Sequence, residues 1–217
     1  MVKKMTIKEL LDITDNPVKI YREFKDYFTK EDIMYAIKKE RYINELPDLC
    51  KYFKNKLDKD LIKTIINRAV DLEMFFEDIY KVLSNKFDKE LIKYVIDTIK
   101  QDRKAMRNHE FFEQHIDELY DYLRDKFDNE LMKYLIDSFK NLDPIYWIFE
   151  NKFDKGSIKY AIDKEADLDD LYDYLRDKFD DELIKYAIDK EADLENLYCY
   201  LGYKFDKELI KYAINYL

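Results

Sequence analysis

The chain has 217 residues, of which 47% are hydrophobic and 40% charged, and its net charge is -9. Only two cysteines occur, Cys50 and Cys199, without C-x-x-C spacing, which argues against a zinc site or a disulfide framework and for a reducing compartment. No run of eighteen apolar residues is present to cross a membrane, and Met1 to Thr14 carries lysines around a bare Leu10-Leu11 pair, too little for a signal sequence, so a cytoplasmic protein without membrane contact is expected.

Two glycines and three prolines are the main punctuation, and each proline falls where the first turn of a helix is expected. Thr6 and Glu9 form a capping box for a short opening helix, and Asn16-Pro17 starts a second. Residues 1–28 are therefore read as N-terminal cap helices. From Phe28 the chain repeats itself. Phe28, Leu57 and Phe87 precede the sharpest copies, at Phe127, Phe153, Phe179 and Phe205, and successive spacings are 29, 30, 40, 26, 26 and 26 residues. Residues 29–126 are the irregular, longer repeats and 127–217 the regular ones. The fold class predicted is all-α: one domain, an α-solenoid of about seven antiparallel helical hairpins with a basic period of 26 residues.

The unit from Phe179 to Lys204 explains the pattern. Asp180 is an N-cap, with Asp181 and Glu182 in the first turn where the helix dipole favours negative charge. Phe179, just ahead of the cap, is placed to act as a hydrophobic staple over Ile184. Buried aromatics are expected likewise at Phe87, Phe127, Phe153 and Phe205. Leu183, Ile184, Ala187 and Ile188 form the apolar stripe of the first helix. Asp193 caps the second, with Leu194, Leu197, Tyr198 and Leu201 on one face, and Asp167, Leu168, Leu171, Tyr172 and Leu175 repeat the arrangement one unit earlier. Gly156-Ser157 breaks the rule, since other copies read Glu-Leu, as in Glu182-Leu183 and Glu208-Leu209, and Trp147 is expected to fill the volume that Ser157 leaves or to line a small pocket with it. Ile210, Ile214 and Leu217 form an apolar edge on the last helix. Preceding helices are expected to cover it, or a second copy in a homodimer or end-to-end contact.

Catalytic equipment is sparse: three serines, two histidines, no glycine-rich phosphate loop and no G-x-S-x-G elbow, so no enzyme and no cofactor are expected. His109 and Glu113 have i, i+4 spacing suited to a metal ion, but His115 falls on another face and H-E-x-x-H is not matched, so no metal is expected. Lys63, Lys93, Lys133, Lys159, Lys185 and Lys211 share one repeat position, and all but Lys63 are followed by tyrosine. Such a ladder suits nucleic acid in principle. Asp97, Asp137, Asp163 and Asp189 lie four residues beyond the lysines, however, and solvated ion pairs beside half-buried tyrosines are the preferred reading.

The pattern resembles α-solenoids in the broad sense shared by tetratricopeptide, HEAT and armadillo arrays, although those have longer periods and signature residues that do not occur here. The resemblance implies a curved surface that binds another macromolecule. Charge suggests which kind. Residues 1–108 carry 24 Lys+Arg against 20 Asp+Glu, and residues 109–217 carry 15 against 28. A non-catalytic protein-interaction scaffold is expected, its acidic C-terminal half receiving a basic protein partner at Asp167, Asp169, Asp170, Asp173, Asp177, Asp180 and Asp181. The alternative is an acidic mimic of nucleic acid that inhibits a DNA- or RNA-handling enzyme.

Overall fold

The structure is a computed structural model that describes residues 5–39, 44–72, 76–101, 109–190 and 193–215. Among these residues the regular elements are fifteen α-helices and short 3₁₀ turns, with no strand. The helices are α1 (Ile7–Ile13), α2 (Pro17–Phe24), α3 (Lys30–Lys38), α4 (Leu46–Phe53), α5 (Lys59–Leu72), α6 (Phe76–Leu83), α7 (Lys89–Gln101) and α8 (His109–Leu123), followed by α9 (Asn129–Ser138), α10 (Asp143–Ile148), α11 (Lys155–Asp163), α12 (Leu168–Tyr174), α13 (Asp181–Asp189), α14 (Leu194–Leu201) and α15 (Lys207–Ile214). The chain divides into two compact units, residues 1–123 and 124–217. No described helix is long and apolar enough to cross a membrane.

Within each unit a helix packs on the helix two places along. In the first, α1, α3, α5 and α7 are successive neighbours, as are α2, α4, α6 and α8; in the second, α9, α11, α13 and α15 form one row and α10, α12 and α14 the other. Helices of seven to ten residues depend on such packing, because nucleation in water is costly. The apolar stripe provides it: Leu183, Ile184, Ala187 and Ile188 are all buried. The capping box of Thr6 and Glu9 and the Asn16 cap ahead of Pro17 both form.

The recurrent Lys-Phe-Asp triplet has three separate tasks. Its aspartate caps: Asp180 Oδ1 accepts from the backbone N–H of Leu183 at 3.1 Å, and Asp128, Asp154 and Asp206 do the same on their helices. Its aromatic is buried in every copy but the last, and Phe179 and Phe87 meet a tyrosine seven residues earlier edge to face, Tyr172–Phe179 with ring centroids 5.4 Å apart and Tyr80–Phe87 at 5.5 Å. Its lysine reaches back to the preceding unit: Lys204 Nζ donates to the Phe179 carbonyl at 2.8 Å, and Lys56 Nζ, in the copy that reads Lys-Leu-Asp, donates to the Lys25 and Phe28 carbonyls at 2.7 and 3.1 Å. A second lysine, three residues after the aromatic's own lysine, closes the junction in the other direction. Lys155 Nζ lies 2.6 Å from Asp180 and 2.8 Å from Glu182, and Lys59 holds Asp88 and Glu90 in the same way at 2.7 and 2.6 Å.

Three expectations are corrected. Phe87, Phe127, Phe153 and Phe179 are buried but Phe205 is only half-buried, and Ile210 and Ile214 are exposed. The equivalent Ile184 and Ile188 are covered because α15 packs on α13, whereas no helix among the described residues packs on α15 from the other side. Leu217 is outside the described residues. Trp147 is 59% exposed and so does not fill the space beside Ser157. Its repeat position faces solvent in the next two units also, at Asp173 and Cys199. Ser157 is itself fully buried, and its Oγ donates to the cap carboxylate of Asp154 at 3.0 Å. Asp167, finally, is not a side-chain cap for α12: its backbone is left-handed, with φ 43°, and its Oδ2 accepts instead from the Leu142 N–H at 2.6 Å, tying the start of α10 to the start of α12.

The α11–α12 turn holds a second left-handed residue, Glu165, at φ 51°. It follows the helix end, where the Ala166 N–H closes back on the Ala161 carbonyl at 3.1 Å. A Cβ is unfavourable there, so Glu165→Gly is expected to stabilise the protein by about 0.5 kcal/mol, the relief of left-handed strain outweighing the entropy that glycine adds to the unfolded chain. A higher urea midpoint at unchanged slope is the readout.

Candidate functional site

The start of α12 concentrates negative charge. Asp169 and Asp170 occupy its first turn and Asp173 the next, Asp167 precedes it, and Asp143 begins the neighbouring α10. An open concavity of about 450 Å³ is lined by Glu165, Asp167, Leu168, Asp169 and Asp170. Partial burial and then repulsion from Asp143, Asp167, Asp169 and Asp173 push the Asp170 carboxyl above the usual carboxylate range. The same field reaches two tyrosines. Tyr174 is pushed up to about 12, chiefly by its hydrogen bond to Asp143, and the Tyr200 hydroxyl is raised by burial and then by Asp169.

The seven aspartates singled out from the sequence therefore separate. Asp169, Asp170 and Asp173 come together; Asp167 adds its charge while serving the Leu142 N–H; Asp177 and Asp181 are exposed on following turns. Asp180 is a structural group, capping α13 and paired with Lys155, and that lysine holds its carboxyl below the usual range. Asp143, Tyr174 and Tyr200 were missed. The period would have found Asp143, which lies 26 residues before Asp169 in the same repeat position.

The lysine-tyrosine ladder is committed to the junctions. Tyr160, Tyr186 and Tyr212 donate their hydroxyls to Asp137, Asp163 and Asp189 of the preceding unit at 2.7, 2.8 and 2.6 Å. The rings are half-buried, as expected, and Lys133, Lys159 and Lys185 stand over Tyr160, Tyr186 and Tyr212 at 5.1, 4.9 and 5.6 Å from the centroids. Lys164 and Lys190 add ion pairs to Asp137 and Asp163 at 3.2 and 2.6 Å.

No group of three or more His, Cys, Asp or Glu side chains among the described residues is placed to hold a metal ion. His115 is buried, and the side chain of His109, the proposed partner of Glu113, lies outside the described residues. Cys50 is fully buried and its thiol is pushed up to about 12 by that burial, which makes it unreactive; Cys199 is exposed. No family model, curated protein or solved structure matches this chain.

Proposed function

We propose that this chain is a non-catalytic α-solenoid scaffold whose acidic C-terminal unit receives a basic partner at the start of α12. The observation that carries the reading is the crowding of Asp143, Asp167, Asp169 and Asp173 around Asp170, which leaves that carboxyl harder to ionise. A lysine- or arginine-rich segment laid across the concavity relieves this repulsion as it binds. The like-charge cost in the free protein becomes part of the affinity. The lysine-tyrosine ladder, by contrast, is absorbed in holding neighbouring helices together, which leaves Asp169, Asp170 and Asp173, unlike Asp167 and Asp180, as the acidic side chains without a packing role.

Pull-down at low and high ionic strength tests the proposal, because exposed charge pairs are screened over about 8 Å at physiological salt. Capture that weakens with salt, and falls about ten-fold in the Asp169→Asn, Asp170→Asn, Asp173→Asn triple variant, is the expected result. A partner held equally at both ionic strengths, or held through residues 1–108, contradicts it. Competition by duplex or single-stranded nucleic acid for the partner would turn the reading toward nucleic-acid mimicry.

A further inference from the structure

The ladder has one break, and the break has the chemistry of an anion site. At the other junctions within the two units, a tyrosine on one helix bonds a polar side chain on the helix two places earlier: Tyr35 with Asp12, Tyr94 with Asn67, and the three Tyr–Asp pairs of the second unit. At the α3–α5 junction both partners differ. Thr64 stands at the tyrosine position, immediately after Lys63, and Lys38 stands at the position that Asp137, Asp163 and Asp189 occupy elsewhere. The ring is missing and the charge is reversed.

An open pocket of about 220 Å³ lies there, lined by Ile37, Lys38, Thr64, Asn67 and Arg68. Three of the lining residues carry donors, Arg68, Lys38 and Asn67. Arg68 Nε is buried and makes no hydrogen bond, an arrangement that is costly for a cationic donor. Lys38 is exposed, and no acidic side chain among the described residues pairs with either cation. Asn67 uses its Oδ1 to accept from the Tyr94 hydroxyl at 2.8 Å, which leaves its Nδ2 as a donor. Thr64 donates to the Asp60 carbonyl at 2.8 Å, so it contributes room rather than a further donor.

We propose that this pocket binds a phosphate-class oxyanion. The guanidinium of Arg68 takes two oxygens in its planar fork, Lys38 supplies the second positive charge, and Asn67 Nδ2 reaches a third oxygen. Two cations match a group carrying about -1.5 to -2 charges at neutral pH better than a single carboxylate. The volume, roughly seven waters at about 30 Å³ each, accommodates a phosphate with part of an ester behind it. Free phosphate and a phosphate monoester share this chemistry.

Calorimetric titration of the full chain with inorganic phosphate, O-phosphoserine and acetate at constant ionic strength tests the assignment. Saturable one-to-one binding of both phosphate probes, and weaker binding of acetate, are expected; the ranking of the two phosphate probes identifies the free ion or the ester as the source. Arg68→Gln is expected to weaken binding about ten-fold, the scale of one charge-assisted hydrogen bond. Thr64→Tyr restores the residue found at the other junctions and refills the pocket, so it is expected to abolish binding while circular dichroism and melting stay those of a folded protein. Lys51→Gln, an exposed lysine on α4, serves as the control with wild-type binding. Absence of saturable phosphate binding, acetate binding as tight as phosphate, or undiminished binding in both Arg68→Gln and Thr64→Tyr overturns the proposal.

Discussion

Phe179→Ala is expected to lower the free energy of unfolding by about 3–5 kcal/mol, the usual consequence of truncating a fully buried aromatic. Phe179 is 1% exposed and lies at 75° to Tyr172, itself buried, so the substitution both opens a cavity and removes an edge-to-face partner. Against a total stability of about 5–15 kcal/mol for an ordinary domain, that loss is severe. Phe205→Ala provides the internal control. The same triplet surrounds it, but it is half-buried and its partner Tyr198 is exposed, so a loss of about 1 kcal/mol is expected from the smaller area withdrawn from water. Urea denaturation of both variants checks the difference. Equal midpoints would mean that the repeated aromatic acts through the local turn and not through the packing between helices.

What was legible in the sequence follows the range of the interactions. Asp180, Asp193 and the Thr6–Glu9 pair act on backbone N–H groups two or three residues away, so their roles are visible in any short window. The burial of Phe179 and the stripe from Leu183 to Ile188 followed from helical periodicity. The junction contacts did not. Lys155 meets Asp180 and Glu182 across 25 and 27 residues, and Tyr186 meets Asp163 across 23; such pairs become apparent only when a helix is packed on the one two places along. Judged by i, i+4 proximity alone, Asp163 was assigned to Lys159, whereas in the fold it serves Tyr186 and Lys190 of the following unit. Asp167 misled for a related reason. Its repeat-mate Asp193 caps α14 through its own side chain, but the left-handed backbone at Glu165 and Asp167 redirects the earlier carboxylate to Leu142. Backbone handedness in a turn without glycine leaves no mark in composition. The site at α12 was thus half legible: its carboxylates could be named, but not which of them are already engaged.

Two aspartates from that same acidic stretch are expected to respond to substitution with opposite signs. Asp180→Ala should destabilise by about 1 kcal/mol at neutral pH, most of it from the lost cap and less from the exposed ion pair. Lys155, and the Leu183 N–H after it, hold the Asp180 carboxyl below its unfolded value near 3.9, so its contribution is complete above that pH and disappears as pH falls through the lower folded value. The gap between wild type and variant therefore narrows in acid. Asp170 has the reverse linkage: burial and four neighbouring carboxylates raise its folded pKa, the folded state binds the proton more tightly, and stability falls as pH rises from the unfolded value through the folded one. Asp170→Asn is accordingly expected to raise the melting temperature at pH 7 and to leave it unchanged below the unfolded pKa. Melting curves of the two variants across the acid range distinguish the roles. A destabilising Asp170→Asn would make that carboxylate another packing group like Asp180, whereas a stabilising one marks charge that the fold tolerates at a cost and that a basic partner can offset.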